Sequence, residues 1–414
     1  MTMSAAARRT HAPDSAYAWW RLLASLALSA IGGVGMWSAV VVLPIIQAEF
    51  GVDRGGASLP YTATLIGFAI GGVVIGRLAD RFGIVLPLVI GALMLGLGYA
   101  AASQAASYGQ FILAQALLIG VGSSASFGPL VADVSHWFLR RRGIAVAIVA
   151  SGNYLAGAIW PPLLQHAIET VGWRQAHLGI AVLCVSAMLP LALLLRRRGE
   201  IDAGAAPTGG HAFRGVMPVS PAMLQAILVV AGIACCIAMS MPQVHLVAYC
   251  VDLGYGPARG AEMLSLMLGL GIVSRLVSGF IADRVGGVGT LLLGSTLQSL
   301  ALLFYLPYDG LTSLYLVSAL FGLSQGGIVP SYALIVREYF PAREAGARIS
   351  LVLMSTIVGM AIGGWMAGAI YDLTGSYDAA FVNGIAWNLL NVAIAFWLLM
   401  GRWQGARRAS VAAS

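Results

Sequence analysis

The sequence predicts an all-α membrane protein with twelve transmembrane helices in two pseudo-symmetric six-helix halves. Three observations carry this reading. Of 414 residues, 59% are hydrophobic and 9% charged, with a mean hydropathy of +0.87, so the solvent of this chain is lipid. Apolar stretches near the ~20 residues that cross a bilayer follow one another, parted by short polar breaks. Landmarks of the first half recur in the second at a constant offset of 203 residues.

In chain order the spans fall at 21–46, 58–79, 84–103, 108–133, 142–167 and 174–195, then at 220–246, 258–281, 288–306, 311–336, 346–370 and 378–400. Residues 1–20 form a tail without an apolar core before Tyr17, so the first span doubles as the insertion signal and no cleavable leader is expected. Spans two and three are parted by the charged turn Gly76–Gly83, and eight and nine by Gly279–Gly286. The run Arg140-Arg141-Arg142 separates span four from five, and Gly172-Trp173-Arg174 separates five from six. Arg196-Arg197-Arg198 opens the one long polar interval, 196–219, rich in Arg, Gly and Ala, which reads as a flexible linker. It divides an N-terminal bundle, 21–195, from a C-terminal bundle, 220–400, and residues 401–414 form a second tail.

Charge sets the expected orientation. All 23 basic residues are arginine; only Arg54, Arg174 and Arg259 fall on the loops opposite the termini and Arg275 falls within a span. The other nineteen place both termini and the linker in the cytoplasm, which assigns the arginine runs to topology rather than to nucleic acid despite a net charge of +7. Cys184, Cys235, Cys236 and Cys250 lack metal spacing and read as packing residues. Pairs such as Gly67/Gly71, Gly72/Gly76, Gly359/Gly363 and Gly364/Gly368 lie four apart and smooth one helix face for close packing. Gly269-Leu270-Gly271 sits mid-span with no preceding strand and is no phosphate loop.

The repeat is sharpest at Gly76-Arg77-Leu78-Ala79-Asp80-Arg81-Phe82-Gly83 and Gly279-Phe280-Ile281-Ala282-Asp283-Arg284-Val285-Gly286, and it carries Gly143 to Gly346 and Gly172 to Gly375. Glycines permit a tight turn there, while each Asp-Arg pair offers opposite charges that can latch or release as the halves rock. The expected latch is therefore Gly76, Asp80, Arg81, Gly83, Gly279, Asp283 and Arg284. The two stretches resemble the loop motif of the major facilitator superfamily, and the resemblance covers nearly the whole chain. It implies the major facilitator fold and alternating access around a central site, with no catalytic residues, metal or cofactor.

Substrate contacts are sought among polar groups inside spans, since each costs several kcal/mol in hydrocarbon unless it faces a cavity or partner. Arg275 stands out, about 9 Å inside the cytoplasmic end of span eight by that reading. Snorkelling or pairing with Asp283 would be its structural role; clamping a carboxylate with two parallel hydrogen bonds would be its functional one. Its repeat mate is Gly72, so the charge belongs to one half only. The segment Gly271–Gly279 resembles span eight of monocarboxylate transporters and oxalate/formate exchangers, and Arg142–Ala145 with Ser151-Gly152-Asn153, Gly157, Pro161 and Gly172-Trp173-Arg174 resembles their span five. The resemblance implies that Arg275 binds substrate carboxylate. Animal monocarboxylate transporters carry an acid where this chain has Gly271, and oxalate exchangers a second base near Thr356; a single positive charge points to a monoanion. Asn153 and Thr356 are repeat mates in mid-span, Gln325 and Tyr332 sit two turns apart in span ten, and Phe127 matches an aromatic position of the group; these complete the expected site.

His245, Tyr249 and Asp252, spaced i, i+4, i+7, share one face of span seven and are the proton-coupling candidates. The expected function is a proton-coupled secondary transporter of a small organic anion, a monocarboxylate, acting as a monomer in the lipid bilayer of a bacterial cell inner membrane with no nucleic-acid partner. A drug/proton antiporter is the alternative, disfavoured by Gln115 in place of an arginine and by Trp160-Pro161-Pro162 in place of a glycine-proline motif; a non-transporting receptor on the same fold is the third reading.

Overall fold

Among the described residues, length and apolarity alone mark eleven helices able to cross a membrane, one of them 48 residues long. That long run is two helices, because Gly286 inside it has φ 80° and ψ 174°, outside helical space, and twelve spans result. The computed structural model describes residues 14–138, 141–196 and 219–413, with positions 142, 342, 343 and 402–413 described through the backbone alone. The spans are α1 (Ala16–Val41), α2 (Arg54–Phe82), α3 (Val85–Ser103), α4 (Tyr108–Trp137), α5 (Gly143–Val171) and α6 (Trp173–Leu194) in the first half. In the second they are α7 (Pro221–Asp252), α8 (257–285), α9 (287–304), α10 (Leu311–Tyr339), α11 (Glu344–Thr374) and α12 (Tyr377–Gly401).

Local chemistry sets the ends. Ser15 caps α1, which starts earlier than the apolar pattern predicts and, past a loosened turn at Val42, continues as Leu43–Phe50. Asp53 Oδ1 accepts from Gly56 N at 2.6 Å to cap α2, and Ser107 and Ser220 cap α4 and α7. The tail expected at 401–414 continues the helix of α12, which runs from Tyr377 to Ala413. The linker from 197 to 218 and the tail from 1 to 13 lie outside the described residues.

The two halves repeat in conformation as well as sequence. Gly83, with φ 84° and ψ 175°, adopts the same left-handed turn after α2 that Gly286 adopts after α8, 203 positions on. α4 breaks at Ala125–Phe127 and α10 at Gly326–Gly327, within about three residues of corresponding positions, while α4 also carries a wide π turn at Ala114–Gly120.

Call the side where α1, α7 and α11 begin the termini end, and the opposite side the far end. The halves meet along two seams, α2 with α11 and α5 with α8. Missing side chains make the seams close: a Cβ on Gly368 would stand 2.7 Å from Arg54 O, and one on Gly157 would stand 2.3 Å from a Leu268 methyl. Thr62 Oγ1 donates to Ala361 O at 2.9 Å across the first seam, and Ser265 donates to Ala158 O across the second.

Candidate functional site

Arg275 sits on α8 where the halves touch. Because α8 continues to 285, the arginine lies about 15 Å from the helix end, deeper than the sequence pattern suggests. Two glycines make its place. A Cβ on Gly326 would come within 2.5 Å of both Arg275 N and Gly271 O, so α8 and α10 touch backbone to backbone, and Ser274 Oγ accepts from Gly326 N at 3.1 Å. The Gly326 carbonyl, freed by the break in α10, accepts from Arg275 Nε at 3.5 Å. From the other half, Ala150 O at the loosened turn of α5 accepts from Arg275 Nη1 at 2.7 Å, and the Tyr154 ring lies 4.4 Å from the guanidinium carbon.

A guanidinium has five N–H donors, and the two carbonyls use two. Among the described residues no carboxylate pairs with Arg275. Neutral partners thus orient the side chain without cancelling its charge, and the Nη1/Nη2 edge keeps donors for a bidentate acceptor. The snorkelling role and the Asp283 pair are not what the geometry shows.

Around it, Gly271 lies one turn earlier on α8, and a Cβ there would meet the Tyr154 ring at 2.8 Å and Gln325 Nε2 at 3.6 Å. Gln325 is fully buried, and its Oε1 accepts from Gln243 Nε2 of α7 at 2.5 Å. Thr356 on α11 is buried against α7, where its methyl faces Gly232, and its hydroxyl donates to Leu353 O at 2.7 Å. Asn153 contributes its carbonyl to Trp37 Nε1 at 3.2 Å, while its neighbour Tyr154 is the α5 side chain that reaches Arg275. Tyr332 turns away from the centre: its hydroxyl donates to Asn391 Oδ1 at 2.9 Å, on the α12 side of the break that separates it from Gln325. Phe127, at the break of α4, packs against Phe68 with ring centroids 6.4 Å apart. The structure therefore gathers Arg275 and Gln325 with two residues sequence reasoning missed, Tyr154 and Gln243. Both are neutral and each lies close to a polar residue that drew the reading instead, Asn153 and His245, so only their azimuth on the helix could have marked them.

The far-end cluster is more extensive than His245, Tyr249 and Asp252. His245 is buried, with Nε2 at 2.7 Å from Gly364 O and Nδ1 at 3.0 Å from Tyr377 Oη. Gly364 O can only accept, so Nε2 carries the proton, and Tyr377 can donate to Nδ1. Arg54 Nη1 donates to Tyr377 Oη at 2.9 Å and Nη2 pairs with Asp252 Oδ1 at 3.0 Å. Tyr249 packs edge-on against Tyr377 at 5.4 Å between ring centroids. Asp372 of α11 closes the set, accepting from Arg54 N at 2.8 Å and Gly55 N at 2.7 Å, a carboxylate of one half on the helix start of the other. Arg54, Asp372 and Tyr377 were missed; the available signal was the charge bias, since Arg54, Arg174 and Arg259, the three far-loop arginines, are each ion-paired, with Asp252, Glu49 and Glu262.

At the termini end Asp80, Asp283 and Arg284 are exposed and Arg81 lies over Phe82; among the described residues none of the four is ion-paired across the halves. Polar contacts thus join the halves at the far end, and among the described residues no ion pair joins them at the termini end.

The sequence pattern of the Major Facilitator Superfamily matches residues 25–317 and 276–411. Monocarboxylate transporter 13 of Bos taurus is 27% identical over 384 residues, covering 91% of this chain and 88% of that one. The MFS-type transporter opdF of Penicillium oxalicum is 27% identical over 300 residues, covering 72% of this chain and 69% of that one. Among solved structures, the nucleoside transporter NupG superposes with a TM-score of 0.71 at 13% identity, covering 92% of this chain and 99% of that one. A bacterial homolog to the human lysosomal transporter Spinster, inward-facing and occupied, superposes at 0.68 with 14% identity and covers 94% and 97%.

Proposed function

Since the chain belongs to the Major Facilitator Superfamily and is a multi-pass membrane transporter rather than an enzyme, we propose that it carries a small organic monoanion, a monocarboxylate, coupled to protons. The observation that carries this reading is Arg275: a guanidinium at the junction of the halves, oriented by two carbonyls and a tyrosine ring, charged, and with a donor edge unspent. A carboxylate seated there would bond both Nη atoms and compete with Ala150 O, which accepts from this arginine across the seam between the halves. Substrate binding and the docking of α5 on α8 would then draw on the same donors, which links occupancy to conformation.

With the termini end in the cytoplasm of a bacterial cell, as the arginine distribution argues, the present arrangement faces inward and the protein resides in the inner membrane as a monomer. His245 supports the coupling role: it begins a chain that runs through Tyr377 and Arg54 to Asp252, so a proton on Nδ1 would disturb the bonds closing the far end. Export is the second reading of direction, favoured by similarity to the agnestins efflux protein AgnL12 of Paecilomyces divaricatus, 24% identical over 353 residues.

The test is uptake of labelled monocarboxylates into proteoliposomes under an imposed pH gradient, with Arg275→Lys beside the wild type. Lysine keeps the charge but not the planar two-donor edge, so transport should fall at least tenfold. Wild-type kinetics in Arg275→Lys would refute the carboxylate clamp.

A further inference from the structure

Gln243 and Gln325 face each other at the centre of the second half, 1% and 0% exposed. One hydrogen bond joins them, from Gln243 Nε2 to Gln325 Oε1 at 2.5 Å, and it leaves Gln243 Oε1 and Gln325 Nε2 without partners among the described residues. Exchanging the oxygen and nitrogen of both amides reverses the bond and leaves the same inventory, one acceptor and one donor side by side. Buried amide groups in that state each cost free energy comparable to a lost hydrogen bond, and replacing both by apolar groups of similar shape would be the cheaper core.

The position of the pair says what it serves. Gln325 Nε2 points at Gly271, where a side chain would have met it at 3.6 Å and the Tyr154 ring at 2.8 Å. Gly271 stands one turn from Arg275 on α8, a rise of about 6 Å. The tyrosine ring and the Gln325 amide therefore close on Gly271 one turn from the guanidinium, which itself lies against the same ring, and the Gln243 amide is bonded to that of Gln325.

We propose that the Gln243–Gln325 pair is a hydroxyl-reading subsite of this carrier, so that the favoured substrates are hydroxy monocarboxylates. This rests on the reading of Arg275 as the carboxylate clamp. A hydroxyl is the smallest group that donates and accepts at once: its proton goes to Gln243 Oε1 and its lone pair receives Gln325 Nε2–H, while the carboxylate lies on Arg275. A substrate without the hydroxyl leaves both amide groups unpaired when the halves close over it, as they are here. Gly271 is part of the specificity, because a methyl group at that position would stand 2.8 Å from the Tyr154 ring and 3.6 Å from Gln325 Nε2, crowding the amide that reads the hydroxyl.

The test is titration of the purified protein with two matched pairs, lactate against propionate and 3-hydroxybutyrate against butyrate, in the wild type and in Gln243→Met/Gln325→Met. The wild type should bind the hydroxy acid of at least one pair about ten- to hundredfold tighter. The double variant should bring the two acids of that pair within about threefold, by weakening the hydroxy acid and not the plain acid, and should unfold at the same temperature as the wild type or higher. Equal binding within each pair by the wild type, or a preference that survives the double substitution, overturns the subsite. If both acids bind equally and Arg275→Gln abolishes binding, the clamp stands and only the hydroxyl subsite falls. If no acid binds the wild type, both fall together.

Discussion

Replacing Gly368 with alanine adds one methyl group where α11 crosses α2. A Cβ at that position stands 2.7 Å from Arg54 O and 2.9 Å from both Arg54 C and Gly55 Cα, all of them backbone atoms that cannot rotate aside. Restoring ordinary contact requires the helices to part by roughly 0.7 Å, and overpacking of this kind costs about 1–3 kcal/mol. Alanine also gains about 1 kcal/mol over glycine as a helix former, but that gain is shared by every state in which α11 is helical and cancels. The clash exists only while the far end is closed. Gly368→Ala should therefore shift the balance toward a far-end-open state by roughly five- to hundredfold. Spin labels on Gln104→Cys and Asp309→Cys, exposed far-end positions in opposite halves, report it as a longer and broader distance; the four native cysteines are buried. An unchanged distance distribution together with unchanged transport would refute the claim that this crossing closes the far end.

Asp372→Asn removes the charge that holds Arg54 N and Gly55 N, at a cost of about 1–2 kcal/mol, and the same labelled pair should open by a similar though smaller amount. Asp80→Asn or Asp283→Asn should slow turnover while leaving equilibrium ligand binding within about twofold, since these exposed groups would act only when the termini end closes; unchanged turnover in both variants ends the latch assignment. With Arg275 as the clamp, the carrier should prefer monocarboxylates to dicarboxylates, read as competition against labelled monocarboxylate uptake at fixed pH. Stronger inhibition of the wild type by dicarboxylates than by monocarboxylates would show that one arginine does not set the substrate charge.

The architecture was legible because lipid imposes it locally. Any apolar run of the right length spans, and Gly83 and Gly286 could be placed as turns from their charged neighbours alone. Arg275 was legible for the same reason in reverse, as a charge that hydrocarbon does not tolerate without cause. Tyr154 and Gln243 were not, since neutral side chains in apolar helices carry no mark until the rotation of each helix is known. Arg54 and Asp372, 318 residues apart, meet only through the packing of opposite halves, which no local pattern encodes. The breaks at Ser151 and Gly326–Gly327, which free the carbonyls that orient Arg275, follow from glycine and serine contacts with neighbouring helices and were likewise invisible.

The span of 318 residues between Arg54 and Asp372 also has a meaning for biogenesis. At about 5–20 residues per second, a ribosome needs roughly 15–60 s to make the second partner after the first. Arg54 waits at the membrane surface without Asp252 for the first 198 residues of that interval and without Asp372 or Tyr377 for all of it, and the first six helices must be stable in the bilayer on their own contacts. The Arg21–Asp133 pair, at 2.8 Å between α1 and α4, is complete once the fourth helix is inserted and serves that early state. The far end can close for the first time only when the eleventh helix has entered the membrane, so the newborn protein passes through an open form before it has ever been shut.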